Sequence, residues 1–281
     1  MSRNRGNNPQ INISKKPDDS GKGEYTSHGT IFAVTNGTTN VPGFFKLVHK
    51  PNKSQVTLNR TLEDRDEIRG GFMEVNSISD VKEVSVYYWN GNLNDPILLG
   101  ITKDGRPENT KYFSKGNNVR NWMNAPIEHL NEQQALDEQN CYKNNAVVFN
   151  IRDSQSGYLR ESSRATCIQK TRKIRKSRPT PPPGSEYNVT TYRFADIKYN
   201  NTKFTKISRV TLNGIYINDI SPPRDALEGI RLYSYPASVD VPLMIEFIKQ
   251  GGGSTFYASK NGSGGNWVPV DEGSQKFYWW W

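Results

Sequence analysis

Apolar residues alternate through residues 84–89, with Val84, Val86 and Tyr88 on one side and Tyr87 and Trp89 on the other. That period of two predicts a β-strand. Asn90-Gly91-Asn92 follows, and these residues suit a turn because Asn and Gly accept positive φ. A nearly continuous apolar run at 97–101 predicts a central, buried strand. Pro96 stands at its first position, where a missing N–H matters least. Two further Gly- or Asn-containing turns separate short strands at 111–115 and around Trp122. Each connection is short, so the four strands form an antiparallel meander.

The same pattern returns later in the chain. Residues 84–101, VSVYYWNGNLNDPILLGI, align without a gap on residues 230–247, IRLYSYPASVDVPLMIEF. Tyr87 meets Tyr233, Pro96 meets Pro242, and Ile97-Leu98-Leu99 meets Leu243-Met244-Ile245. Tyr112-Phe113-Ser114 then meets Phe256-Tyr257-Ala258, and Asn121-Trp122 meets Asn266-Trp267. Further strands are expected upstream at 30–34, 44–48, 55–58 and 71–75 in the first copy. In the second they are expected at 190–197, 204–210 and 214–217. An open sheet must cover its apolar face, so these strands supply the second layer of a sandwich or a partly closed barrel. The expected fold is all-β: two tandem antiparallel modules with one short helix after the first. The helix is expected at 131–139, with Asn131 as N-cap and Gln134 completing a capping box. A strand, NAVVFNI, is expected after it at 145–151.

These patterns divide the chain into a disordered polar N-terminus (1–27), a first module (28–168), a basic proline-rich linker (169–186) and a second module (187–281). The second module looks cut short, since it ends on FYWWW where a strand pattern is unfinished. Net charge is +9, but residues 170–178 alone carry six basic and no acidic groups. Residues 28–169 balance at sixteen of each sign. A nucleic-acid-binding domain spreads positive charge over a folded face, so nucleic acid is not an expected partner. No apolar leader precedes the first module, and no apolar run is long enough to span a bilayer. As written, the chain reads as cytoplasmic or nuclear. A missing upstream segment would make it secreted or exported.

No constellation for catalysis or metal binding stands out. The three histidines, His28, His49 and His129, lack metal-ligand spacing to one another or to a cysteine. The glycine runs at 251–253 and 262–265 lack phosphate-loop spacing and occupy turn positions. Glu63, Asp64, Asp66 and Glu67 are interleaved with Arg60, Arg65 and Arg69, which reads as a solvated, self-neutralised connector. No cofactor and no small-molecule ligand are expected. The two cysteines, Cys141 and Cys167, allow one disulfide, closing a loop of about 26 residues. Without a secretory leader, two reduced thiols are the preferred reading.

The candidate partner-binding segment is the connector. Lys170, Arg172, Lys173, Arg175, Lys176 and Arg178 are followed by Pro179 and Pro182, and such a segment is expected to be extended and exposed. It reads as a semi-rigid spacer, as a basic patch of nuclear-import type, or as a ligand for an SH3-type groove through Lys176-x-x-Pro179-x-x-Pro182. Tyr87, Trp122, Tyr233 and Trp267 are expected in the cores. Trp89 and Tyr235 are the candidates for an exposed aromatic surface, of the kind a carbohydrate-binding module uses.

The order VYYW-NG, PILLGI, YFS, NW and then LDEQNCYKNNAVVFNI resembles the tandem FAINT-domain protein families of Theileria piroplasms, particularly Theileria equi. The resemblance covers roughly residues 68–151 and 203–270, and 136–148 is its most specific part. It implies no enzymatic activity and carries over no catalytic residue. It implies export into, or display to, a host cell, a route on which the seven N-x-Ser/Thr sequons (Asn12, Asn36, Asn52, Asn59, Asn188, Asn200, Asn261) would matter. The expected function is therefore non-enzymatic binding of a protein partner at a host–parasite interface.

Overall fold

Alternation of apolar and polar side chains builds a large sheet in each half of the chain. The computed structural model describes residues 8–74, 76–115, 120–125, 131–151, 157–158, 172–176, 187–196, 205–235, 241–262 and 264–270. Among these residues the protein is mostly β, with several sheets, none closed, and one α-helix. It divides into two units, Met1–Gln139 and Asn140–Trp281.

The first unit contains β1 (Lys22–Ser27), β2 (Thr30–Gly37), β3 (Phe44–Pro51), β4 (Val56–Asn59) and β5 (Glu67–Arg69). It continues with β6 (Ser77–Val81), β7 (Glu83–Trp89), β8 (Leu98–Thr102), β9 (Thr110–Lys115) and β10 (Asn121–Asn124). Eight strands form one sheet in the order β1-β2-β3-β7-β8-β9-β10-β5, and β4 pairs with β6 separately. All neighbours in the large sheet are antiparallel except β10 and β5. The β4–β6 hairpin supplies Val56, Leu58, Ile78 and Val81 to a core shared with Leu47, Val84, Val86, Leu99, Phe113 and Trp122 of the sheet. Each such fully buried aliphatic or aromatic side chain contributes about 1.5–3 kcal/mol.

The helix α1 (Glu132–Asn144) follows. Its capping box is formed: Asn131 Oδ1 accepts from Gln134 N–H at 2.9 Å, and Gln134 Oε1 accepts from Asn131 N–H at 3.2 Å. Asn145, with φ 55°, ends it in the left-handed region. The second unit contains β11 (Ala146–Asn150), β12 (Gly157–Tyr158), β13 (Arg172–Lys176), β14 (Asn188–Asp196) and β15 (Lys206–Leu212). Then come β16 (Ile215–Tyr216), β17 (Leu227–Ser234), β18 (Pro242–Lys249), β19 (Ser254–Ser259) and β20 (Trp267–Val270). The sheet order is β12-β13-β14-β17-β18-β19-β20, with β11-β15-β16 as the smaller sheet. Val147, Phe149, Ile151, Ile207 and Val210 of the smaller sheet share a core with Ile230, Leu232, Ile245, Phe247 and Trp267.

The repeat expected from the sequence is thus present in register. Val86 faces Leu99 and Ser85 faces Gly100; 146 residues later, Leu232 faces Ile245 and Arg231 faces Glu246. Gly100 next faces Tyr112, as Glu246 faces Phe256.

Three organisational expectations are corrected. Residues 1–27 are not uniformly a disordered tail: Ile11 and Ile13 are buried, and β1 pairs with β2. Pro9 and Ile11 accept backbone hydrogen bonds from Asn59 and Glu63 at 2.9 and 3.1 Å. Two apolar residues at alternate positions suffice to seat this otherwise polar segment. The strand after the helix belongs to the second unit, not the first, because β11 pairs in parallel with β15. Its backbone contact, Lys206 N–H to Asn145 O at 2.9 Å, matches that of Asn59 with Pro9. Finally, part of the expected linker is a strand. β13 is hydrogen-bonded to β12 on one side and to β14 on the other. Ile174 stands opposite Phe194, a residue packed against the core. The charged composition does not prevent this, because the ladder bonds are made by the backbone whatever the side chains carry.

Candidate functional site

Trp122 closes the first meander on β10. It stands directly opposite Lys115 of β9 and, in the parallel direction, opposite Ile68 of β5. Its side chain is 0 % exposed, and among the described residues its indole Nε1 has no hydrogen-bond partner. A cavity of about 360 Å³ lies against it. Ile13, Ser14 and Lys16 of the N-terminal segment form one wall, with Tyr88 of β7. Asp64 and the Asn94-Asp95-Pro96 segment before β8 form the rest, with Lys115 and Trp122.

Neighbouring contacts hold these groups in place. Tyr88 Oη donates to the carbonyl of Ile13 at 2.9 Å. Burial, with the Asp95 carboxylate as a lesser cause, pushes the Tyr88 phenol up to about 12. Lys16 Nζ donates to the Leu93 carbonyl at 3.0 Å and lies 5.9 Å from the centre of the Tyr88 ring. Lys115 Nζ is paired with Asp66. Asp64 Oδ1 accepts from the Asp66 N–H at 3.0 Å. The site therefore combines an indole donor, two ammonium groups and two carboxylates around a small space.

The acidic cluster at 63–67 is only in part a solvated connector: Glu63, Asp64, Arg65 and Arg69 are exposed, and Arg69 pairs with Glu67 at 2.9 Å. Asp66 and Arg60 are buried, at 3 % and 6 % exposure. Arg60 spends its guanidinium on backbone carbonyls of Ile68, Gly70, Phe72 and Glu74, at 2.6–3.1 Å. An arginine with five donors can close an irregular loop that no ladder satisfies.

On the opposite face of the first sheet, the rings of Tyr87 and Tyr112 lie 6.2 Å apart. A Cβ at Gly100 would lie 3.3 and 3.5 Å from those rings, so the glycine lets them close over the sheet. Burial, followed by Tyr112 and Glu132, raises the Tyr87 phenol. In the second unit the corresponding place is polar. Glu246, 5 % exposed, accepts hydrogen bonds from Tyr233 Oη and Ser254 Oγ, each at 2.7 Å. Arg231 Nη1 lies 3.2 Å from its Oε2.

The aromatic expectations fare unevenly. Tyr87, Trp122 and Trp267 are buried as expected. Tyr233 is corrected to half-buried, since its neighbours Ile230 and Leu232 take the core side of β17. Trp89 is not an exposed platform. It is 3 % exposed, paired with Phe44 of β3, and its ring covers Gly91, where a Cβ would lie 2.4 Å from it. Tyr235 is half-buried, its ring centre 5.3 Å from that of Tyr187. Cys141 is buried and disulfide-bonded, which replaces the preferred reading of reduced thiols; Cys167 lies outside the described residues.

Of the connector residues, Arg172, Lys173, Arg175 and Lys176 lie in β13, while Lys170, Arg178, Pro179 and Pro182 lie outside the described residues. Register places Arg175 opposite Arg193 of β14 and Lys173 opposite Ala195. Arg193 is exposed. The sequence reading did not single out Lys16, Asp95 or Lys115. The only signal for them was Trp122 itself, an indole whose donor needs an acceptor wherever it is buried.

No helix among the described residues is long and apolar enough to cross a membrane. Comparison with family models, with curated proteins and with solved structures finds no match.

Proposed function

We propose that this chain is a non-enzymatic interaction protein, in which two copies of one β module display different surfaces and β13 of the second recognises an acidic protein partner. The observation that carries this reading is the register of Arg175 opposite Arg193. Like charges directly opposite one another weaken a sheet by about 0.2–1 kcal/mol, and an acidic partner removes that cost while gaining attraction. The divergence of the outer faces supports the same reading, since Gly100 in one unit is replaced by Glu246 in the other on a shared scaffold. The resemblance to tandem piroplasm modules supports a host-cell interface as the setting of that interaction.

The test uses the full chain and poly-L-glutamate as the probe. Binding that weakens with salt, and falls about tenfold in an Arg175→Glu/Arg193→Glu variant that still folds, supports the reading. No salt-dependent binding, or equal binding by the variant, counts against it.

A further inference from the structure

The outer faces of the two large sheets differ in how far they are buried. In the first unit that face is closed: Ser85, Tyr87 and Leu98 are 2 %, 2 % and 0 % exposed. Helix α1 contributes to the closure, since Glu132 in its first turn hydrogen-bonds the Tyr87 hydroxyl and its charge reaches Tyr112. The strand register carries Ser85, Tyr87 and Leu98 to Arg231, Tyr233 and Met244 of the second unit. All three are half-buried there, as are Ile248 and Phe256 on the same face. Water against a row of Met, Ile and Phe is a standing cost that a covering segment removes.

The repeat says which segment stands where α1 stands. Trp267 follows Trp122 by 145 residues, and the same offset carries Glu132 to Phe277. Phe277 opens the run Phe277-Tyr278-Trp279-Trp280-Trp281, which lies outside the described residues. The exchange is matched on both sides. Where Gly100 faces Tyr112, Glu246 faces Phe256, so a hydroxyl-bearing ring under a carboxylate is replaced by an apolar ring under an apolar ring. Tyr233 keeps its hydroxyl but gives it to Glu246, so it asks nothing of the segment above.

We propose that residues 277–281 dock on the outer face of the second sheet of their own chain, over Tyr233, Met244 and Phe256, and close it as α1 helps close the first. Phe277 takes the place of Glu132. The tryptophans cover Met244 and Ile248, where the Met244 thioether suits an aromatic ring. The Arg231 side chain, 41 % exposed, offers a guanidinium face for an indole to stack on. The connection is long enough. Val270, the last residue of β20, stands opposite Phe256. The stretch 271–276 reaches up to about 20 Å, more than the three strand spacings of about 4.8 Å each between β20 and β17. Nothing in this site uses β13, so it stands or falls apart from the partner-binding reading.

The experiment uses the full chain labelled with ¹³C-methyl methionine. Met73 and Met123 of the first unit are 99 % and 51 % exposed and serve as references. Rings of the docked segment are expected to displace the Met244 methyl signal, assigned by Met244→Leu, upfield of both. Replacing Trp279, Trp280 and Trp281 together by Ser is expected to move it back toward them while the Trp267 indole signal persists. Acrylamide quenching of tryptophan fluorescence gives a second reading with the segment intact. Trp89, Trp122 and Trp267 are buried, so quenching reports on residues 279–281. It is expected to be weak in the native chain and strong in Met244→Glu, which sets a charge beneath the segment. This variant decides the matter where the triple variant loses its Trp267 signal. The proposal is overturned by a Met244 signal shared by the native chain and a folded triple variant, or by equal quenching of the native chain and Met244→Glu. It is also overturned by a displacement that vanishes on dilution, which assigns the face to a second copy.

Discussion

Tyr233 donates its hydroxyl to Glu246 at 2.7 Å across β17 and β18, on a sheet face where the first unit has Tyr87 lying over Gly100. The tyrosine is kept and its neighbour is exchanged. In the first unit the phenol is buried among Tyr112 and Glu132, and in the second it serves a carboxylate that also takes Arg231 and Ser254. A common backbone thus supports an aromatic closure in one copy and a polar cluster in the other.

That cluster should be fragile to removal of its centre. Glu246→Ala leaves Tyr233 and Ser254 without their acceptor and Arg231 without its ion pair. Arg231 is partly exposed and regains water, so the expected loss is about 2 kcal/mol, below the 3–5 of a fully buried pair. Urea unfolding of the second unit measures it. Glu246→Gln, which keeps an acceptor, should lose less.

His49 makes the first unit sensitive to acid. It is 0 % exposed on β3, both ring nitrogens lack partners among the described residues, and burial lowers its pKa from 6.5 to about 4. Between those values the unfolded chain holds a proton that the folded chain refuses. Stability from this group is therefore complete above pH 6.5 and is lost as pH falls toward 4, by about 3 kcal/mol in total. Melting temperature recorded across that interval should fall more steeply for the native chain than for His49→Leu. Parallel slopes would refute the assignment.

Arg60 is expected to matter through backbone carbonyls. Four of them depend on its guanidinium. Arg60→Met should destabilise the first unit by about 3 kcal/mol, since several buried acceptors lose their donor at once. Arg60→Lys should recover only part, because an ammonium cannot reproduce the planar fork. Denaturant unfolding of the two variants gives the comparison.

Much of the architecture was legible because it rests on local patterning. The meanders, the shared register and the Asn131–Gln134 capping box all follow from residue spacing. What escaped involves pairing between distant segments. Nothing in PQINIS announces that Ile11 and Ile13 lie beside β4, and nothing in NAVVFNI says that its partner is β15. The strand at Arg172–Lys176 was hidden because charge dominates its composition, while its placement rests on backbone pairing with β12 and β14. Trp89 was misjudged for a related reason: alternation names a face, but only the strands on either side determine whether that face is covered. For the cavity, Trp122 was visible as a marker, whereas Lys16, Asp64 and Asp95 meet it from segments far apart in sequence.

The segment that opens each unit, β11 in the second and residues 9–13 in the first, has a consequence for where a module can be cut. β11 comes directly after α1, yet its side chains complete the core that follows. Residues 9–13 have the same office in the first unit. A boundary that keeps each core whole therefore falls before residue 9 in the first unit and before β11 in the second, not at the visible hairpins. A recombination breakpoint placed within α1 would pass on an intact core, whereas one near residue 169 would strand Val147, Phe149 and Ile151 on the wrong side of the cut.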